Sequence, residues 1–192
     1  MDVQPPVVPV VGPEVRAVVL VEGRSDQAAL EALAVRRGRD LAAEGVVVVP
    51  VGGATTIGRF LRHFGPAGLD LRLAGLCDAR EVGAYQRALE RAGVGTDLER
   101  LGFHVCVADL EDELIRALGP AGVEDVIAAE GELRSLRTLQ QQPAQRGRTL
   151  EQHLHRFMGS KGGRKVRYGR LLVEALDLAH VPRPLDAALA HV

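Results

Sequence analysis

Three sets of acids follow directly on apolar, β-branched runs. Glu22 closes Ala17 to Val21 and is followed by Gly23 and Asp26, Asp78 closes Leu71 to Cys77, and Asp109 to Glu113 follow Phe103 to Ala108. A carboxylate at the mouth of a buried strand is costly to keep there unless a cation shares the space. Three strand ends offering carboxylates therefore point to one metal site. Magnesium takes hard oxygen ligands, commonly a few carboxylates with waters and substrate phosphates. Glu22, Asp26, Asp78 and an acid from the fourth unit meet that need. Two of these acids also have an ordinary reading: Asp26 in a first helical turn complements the helix dipole, and Asp78 after a strand caps the next helix.

The acid from the fourth unit is singled out by helical geometry. With Leu110 at zero, steps of about 100 degrees put Leu114 near about 40, Leu118 near about 80 and Ile115 near about 140. Glu111 falls at about 100 degrees, inside the apolar arc, where a carboxylate needs a partner. Glu113 lies at the edge of the arc and Asp112 faces solvent.

A glycine-rich basic stretch, Gly159-Ser-Lys161-Gly-Gly-Arg164-Lys165-Val-Arg167, sits between two helical patterns. Glycines allow close backbone approach, and the opening of the next helix offers free N–H groups to an anion. Lys161, or Lys165 if the loop folds the other way, would neutralise charge developing on a phosphate, and arginines supply a fork for its oxygens. Arg80, Arg164 and Arg167 are candidates for backbone phosphate contacts. The stretch is no Walker loop, because no strand precedes it and the G-x-x-x-x-G-K-[ST] pattern is absent. A solvated flexible loop is the competing reading. His153 and His155 are two apart on a predicted helix and face different ways, so they make no zinc pair.

These side chains must be positioned by alternating strand and helix patterns, which predict a parallel sheet with helices on both faces. Strands are expected near 15–21, 45–51, 71–77 and 103–108, with helices near 26–37, 55–64, 82–93 and 110–118. Ser25 is expected to cap the first helix and Gly38 to stop it, and Thr55 or Thr56 to cap the second. Beyond Pro120 helical patterns take over: 123–140 interrupted around Gly131, then 149–158, 164–177 and a short final helix. Sites in open parallel sheets form beyond the carboxyl ends of the strands. For Glu22 and Asp78 to share an ion, strands one and three must be neighbours, giving the order 2-1-3-4. The expected organisation is a loose Pro-rich arm over 1–13, an α/β core over 14–120 and a helical extension over 121–192 packed on it.

Composition narrows the partners. Residues 131–170 carry ten Lys/Arg against two acids, a local +8 inside a chain of net charge −1. An acidic half joined to a basic half suits a polyanionic substrate held through a metal. The longest apolar runs fall far short of the roughly 20 residues that span a bilayer, and the N-terminus lacks a signal-peptide pattern. The two cysteines, Cys77 and Cys106, lie in predicted buried strands. No disulfide framework is indicated, and a cytoplasmic location is expected.

Val21-Glu22-Gly23-Arg24-Ser25-Asp26 followed by Cys77-Asp78-Ala79-Arg80-Glu81 after a strand resembles the TOPRIM domain of topoisomerases, primases and the overcoming-lysogenization-defect (OLD) nucleases. The OLD type is the nearest match, with the Gly-Gly after the second strand, the Leu110-Glu111-x-x-Leu114 helix and the late Lys161 to Lys165 segment. The resemblance implies a Rossmann-like, four-stranded TOPRIM sheet and a metal-dependent phosphodiester hydrolase, a DNA nicking or cleaving endonuclease. It implies one or two Mg2+ or Mn2+ ions on Glu22, Asp26, Asp78 and Glu111, with Glu22 as general base and Lys161, or Lys165 in its place, as the catalytic cation. Arg80, Glu81, Glu113, Arg164 and Lys165 stand by as further metal or phosphate contacts.

Two departures follow. The TOPRIM D-x-D reads Asp78-Ala79-Arg80, so Glu81 or Glu111 would have to replace the missing acid if two ions bind. OLD proteins carry an ATPase domain ahead of the TOPRIM, whereas this sequence has no Walker motif, which implies a stand-alone TOPRIM served by a separate ATPase subunit. The expected partner is nucleic acid, DNA ahead of RNA, and no membrane. Two other functions fit the same residues: an inactive TOPRIM-like nucleic-acid-binding or assembly module, and a maturase of structured RNA.

Overall fold

The computed structural model describes residues 7–192, so residues 1–6 of the expected Pro-rich arm lie outside the described residues. Four strands form one sheet: β1 (Ala17–Val21), β2 (Val46–Pro50), β3 (Arg72–Asp78) and β4 (Phe103–Cys106). They run parallel in the order β2-β1-β3-β4. All five residues of β1 are buried. An unbroken apolar run of this kind is what a parallel strand covered on both faces requires. Gly75 stands where a side chain would collide with Leu20 O at 2.5 Å and with the Phe103 ring, so the ring of β4 closes over the centre of β3.

Helices α1 (Arg24–Arg36), α2 (Ile57–Phe64), α3 (Val82–Arg91) and α4 (Leu110–Ala129) follow the strands in turn. Alternation of side chains divides the core in two. Val18, Leu20 and Cys77 face α2 and α3 with Phe60, Phe64 and Tyr85. Val19, Val21 and Leu76 face α1, α4 and the C-terminal helices. The latter are α5 (Leu133–Gln140), α6 (Leu150–Met158), α7 (Arg164–Ala175) and α8 (Arg183–Ala190). Val8 and Val11, from the end of the expected arm, pack against the first of these clusters.

The expected break near Pro120 is a kink inside α4, where Gly119 adopts φ 76° and ψ 152°. Gly38, at φ 73°, provides the left-handed residue that ends α1, as its position suggested. Two caps differ from expectation. Gly23, not Ser25, occupies the N-cap of α1, because the Asp26 carboxylate reaches back to accept the Gly23 N–H at 2.7 Å and serves the terminus itself. Neither Thr55 nor Thr56 caps α2 by a side chain. Residues 54–56 form a single 3-10 turn, and the Thr56 hydroxyl donates back to Gly53 O at 2.6 Å. No helix among the described residues is long and apolar enough to cross a membrane.

Candidate active site

The carboxyl ends of β1 and β3 lie side by side, and the acids that follow them open on one cleft of about 320 Å3. Glu22, Asp26, Asp78, Arg80, Glu111 and Lys165 all line it, along with Gly52 and Gly53. The Gly-Gly pair has a defined task. Both residues take positive φ, 75° and 106°, and the Gly52 N–H donates to Glu22 O at 2.9 Å. The turn after β2 thereby fixes the backbone that carries Glu22.

Glu22 and Asp78, which line the cleft, and Glu81, which follows β3, each bring a carboxylate oxygen within 4.8 Å of the other two. Burial pushes Glu22 up from its ordinary value, and the neighbouring charge of Glu81 pushes it further. Asp78 rises to about 6, through burial and then the charge of Glu22. Glu81 is raised by burial and by Asp78. One oxygen of Glu81 is buried with no hydrogen-bond partner among the described residues. Three mutually repelling carboxylates with an orphaned oxygen fit a hard divalent cation, which replaces repulsion with attraction. Arg80 supplies part of that compensation itself, with Nη2 3.2 Å from Asp78 Oδ2 and most of its side chain in solvent.

Asp26 takes a different position in the same cleft. Its Oδ2 is spent on the Gly23 N–H, and burial raises the group to about 7, with Glu111 and Glu22 adding to the shift. Glu111 is 1 % exposed, in keeping with its place inside the apolar arc of α4. Its Oε1 has no hydrogen-bond partner among the described residues, and its Oε2 faces Lys165 Nζ at 2.9 Å. Burial pulls the Lys165 amine down, but the adjacent Glu111 carboxylate outweighs it and holds the group above its ordinary value.

Lys165 reaches this position through helix packing. A side chain on Gly169 would meet Ser25 O at 2.8 Å, so the bare backbone of α7 lies directly on the start of α1. Lys165 is one turn earlier on the same face of α7, over the cleft. Lys161 precedes the helix in the exposed loop and does not line the cleft.

The remaining candidates lie elsewhere. Arg164 is buried, stacked with its guanidinium carbon 3.9 Å from the Phe157 ring centroid and paired with Glu132 at 3.0 Å. Arg167 pairs with Glu132 and Glu130, and the Tyr168 hydroxyl donates to Glu132 at 3.0 Å. These arginines tie α7 to the start of α5. Glu113, at the edge of the wheel, accepts the Val107 N–H at 2.8 Å and pairs with Arg116 at 2.6 Å, holding β4 to α4.

One constellation escaped the sequence reading. Asp109 caps α4 by accepting the Asp112 N–H at 2.9 Å, and its other oxygen meets His155 Nε2 at 2.6 Å. Asp109, Glu111 and His155 all offer ligand atoms within 4.8 Å of one another. The bond to Asp109 raises His155 above its ordinary value despite partial burial. Nothing in the local pattern around residue 155 announces this contact, which depends on α6 crossing the start of α4.

Residues 15–79 match the family model described as the TOPRIM domain of overcoming-lysogenization-defect-like proteins. The solved C-terminal region of the Burkholderia pseudomallei OLD protein is similar with TM-score 0.70 and 23 % identity, over 92 % of this chain and 96 % of that one. That of the Xanthomonas campestris pv. campestris OLD protein gives TM-score 0.72 and 25 % identity, over 93 % and 92 %. A search of curated proteins finds no match.

Proposed function

We propose, from the premise that this chain carries an OLD-like TOPRIM domain within the fold of OLD C-terminal regions, that it is a divalent-metal-dependent phosphodiester hydrolase acting on DNA. The observation that carries the reading is the convergence of Glu22, Asp78 and Glu81 at the ends of β1 and β3, with the Lys165 ammonium across the same cleft. Glu22, Asp78 and Glu81 would hold the ion, with Asp26 and Glu111 lining its surroundings. A divalent ion there supplies Lewis acidity, lowering the pKa of water and stabilising charge on the phosphoryl oxygens.

The side chains account for the rest of the chemistry. Water adds to phosphorus, Glu22 takes its proton, the bond from phosphorus to one sugar oxygen breaks, and the departing sugar oxygen gains a proton from solvent, to which Glu22 later returns its own. Lys165 neutralises charge growing on the phosphate, and Glu111 keeps the amine protonated and aimed. Arg80, exposed beside Asp78, meets a second phosphate oxygen. Magnesium or manganese serves equally in a site of carboxylate oxygens.

Supercoiled plasmid, single-stranded DNA and a structured RNA, each incubated with Mg2+ or Mn2+, test the reading. Nicking of plasmid by the wild type and not by Asp78→Asn is expected. Cleavage confined to RNA would reassign the chain to RNA maturation, and no cleavage of any substrate would favour an inactive binding module.

A further inference from the structure

A second groove, of about 850 Å3, opens beside the acid cleft and shares Arg80 and Asp109 with it. Arg148 and Arg156 line its far side. Arg156 also lines a third cavity, of about 600 Å3, set among α5, α6 and α7. The three spaces are thus linked in sequence through shared side chains. The third cavity is walled by Arg134, Arg156 and Arg164 with the hydroxyls of Ser135, Thr138 and Ser160, and no acid lines it.

The charges along this route differ in availability. Arg164 is consumed by Glu132, and in the groove Asp112 pairs with Arg116 while Asp109 is bound to His155. Glu151 is the groove's remaining acid, at its exposed rim. Arg134, Arg148 and Arg156 are exposed and form no ion pair among the described residues. They come from the segment that holds the chain's surplus of +8. Uncompensated arginines strung along connected concavities, beginning at a phosphodiester-cleaving cleft, match the backbone of a polynucleotide more closely than any compact anion.

We infer that the helical extension carries a track for the sugar-phosphate backbone, leading from the acid cleft past Arg148 and Arg156 to Arg134. The inference rests on the phosphodiesterase reading and extends it. The substrate is a chain several nucleotides long on this side of the cut, gripped through phosphates without reading of base sequence.

Fluorescent 20-nucleotide probes of DNA and RNA, single-stranded and duplex, titrated in Ca2+ at several salt concentrations, test the track directly. The triple variant Arg134→Ala/Arg148→Ala/Arg156→Ala is expected to bind about tenfold or more weakly, with a salt slope shallower by about 2 to 3. The matching Arg→Lys triple keeps charge and should keep most of the slope, which separates lost contacts from lost folding. Hydrolysis of bis(p-nitrophenyl) phosphate, too small to reach the arginines, should be unchanged in the Ala triple. Wild-type affinity and slope in the Ala triple would overturn the track while leaving the cleft chemistry standing. Arginine-dependent binding by a protein that cleaves nothing would support the track and remove the phosphodiesterase reading. Whichever probe binds tightest identifies DNA or RNA as the backbone accommodated.

Discussion

Lys165 Nζ stands 2.9 Å from Glu111 Oε2, so helix α7 delivers a cation onto a buried acid at the start of α4. This single contact makes α7 part of the site. The core and the C-terminal helices share one apolar cluster, and that packing holds α7 so that its amine stays aimed.

Lys165→Ala should lower the plasmid nicking rate by about a hundredfold, the scale of removing one donor to a charged transition state. Lys161→Ala should stay within about threefold of the wild type, because Lys161 remains in the solvent-exposed loop. Initial nicking rates of the two variants, measured side by side, check the assignment.

Arg80 pairs with Asp78 at 3.2 Å, so in the proposed metal site it would compete with the ion for that carboxylate. Arg80→Ala should tighten Mn2+ binding about fivefold, the effect of about 1 kcal/mol of removed repulsion at a solvated site. Arg80→Asp should tighten it further. Both should weaken binding of DNA, so metal affinity by paramagnetic resonance and DNA affinity by anisotropy are expected to move in opposite directions.

Burial lifts Asp26 from an ordinary 3.8 to about 7. An acid whose folded value is raised favours the native state when protonated, so its contribution is fully present below about pH 4 and is lost as pH rises to about 7. Asp26→Asn keeps an acceptor for the Gly23 N–H and carries no charge. In metal-free buffer its stability relative to the wild type should grow from about pH 4 to about pH 7 and then level off, by up to about 4 kcal/mol. Urea titrations of both proteins across that range measure the difference. A constant difference would show that Asp26 is not the group responsible.

Much of this architecture was legible in the residues. The buried runs ending in Val21 and Cys77 point to parallel strands, and the need for Glu22 and Asp78 to share an ion puts those two strands side by side, where they lie. The wheel position of Glu111 anticipates its burial because helical periodicity is local. What stayed hidden depends on contacts between distant segments. Asp109 and His155 are 46 positions apart, and Gly169 aligns Lys165 only through its contact with Ser25. Arg164, which a basic loop offers as a phosphate ligand, is withdrawn by Glu132 and Phe157.

Arg164 is therefore expected to act on stability. Arg164→Ala removes one of the partners of Glu132, which keeps Arg167 and Tyr168, and uncovers Phe157, and should cost about 2 to 3 kcal/mol. Arg164→Lys should recover little, since an ammonium cannot stack and fork at once. Denaturant midpoints report both effects, with DNA affinity of the folded fraction nearly unchanged.

In the proposed site, Glu22, Asp78 and Glu81 hold a divalent ion. Calorimetric titration of Mn2+ into the metal-free protein tests it most directly, with Glu22→Gln, Asp78→Asn and the surface control Glu90→Gln alongside. Saturable binding is expected for the wild type and for Glu90→Gln, and its loss in the two cleft variants. Absence of binding to the wild type, or equal binding by all four folded proteins, would contradict it.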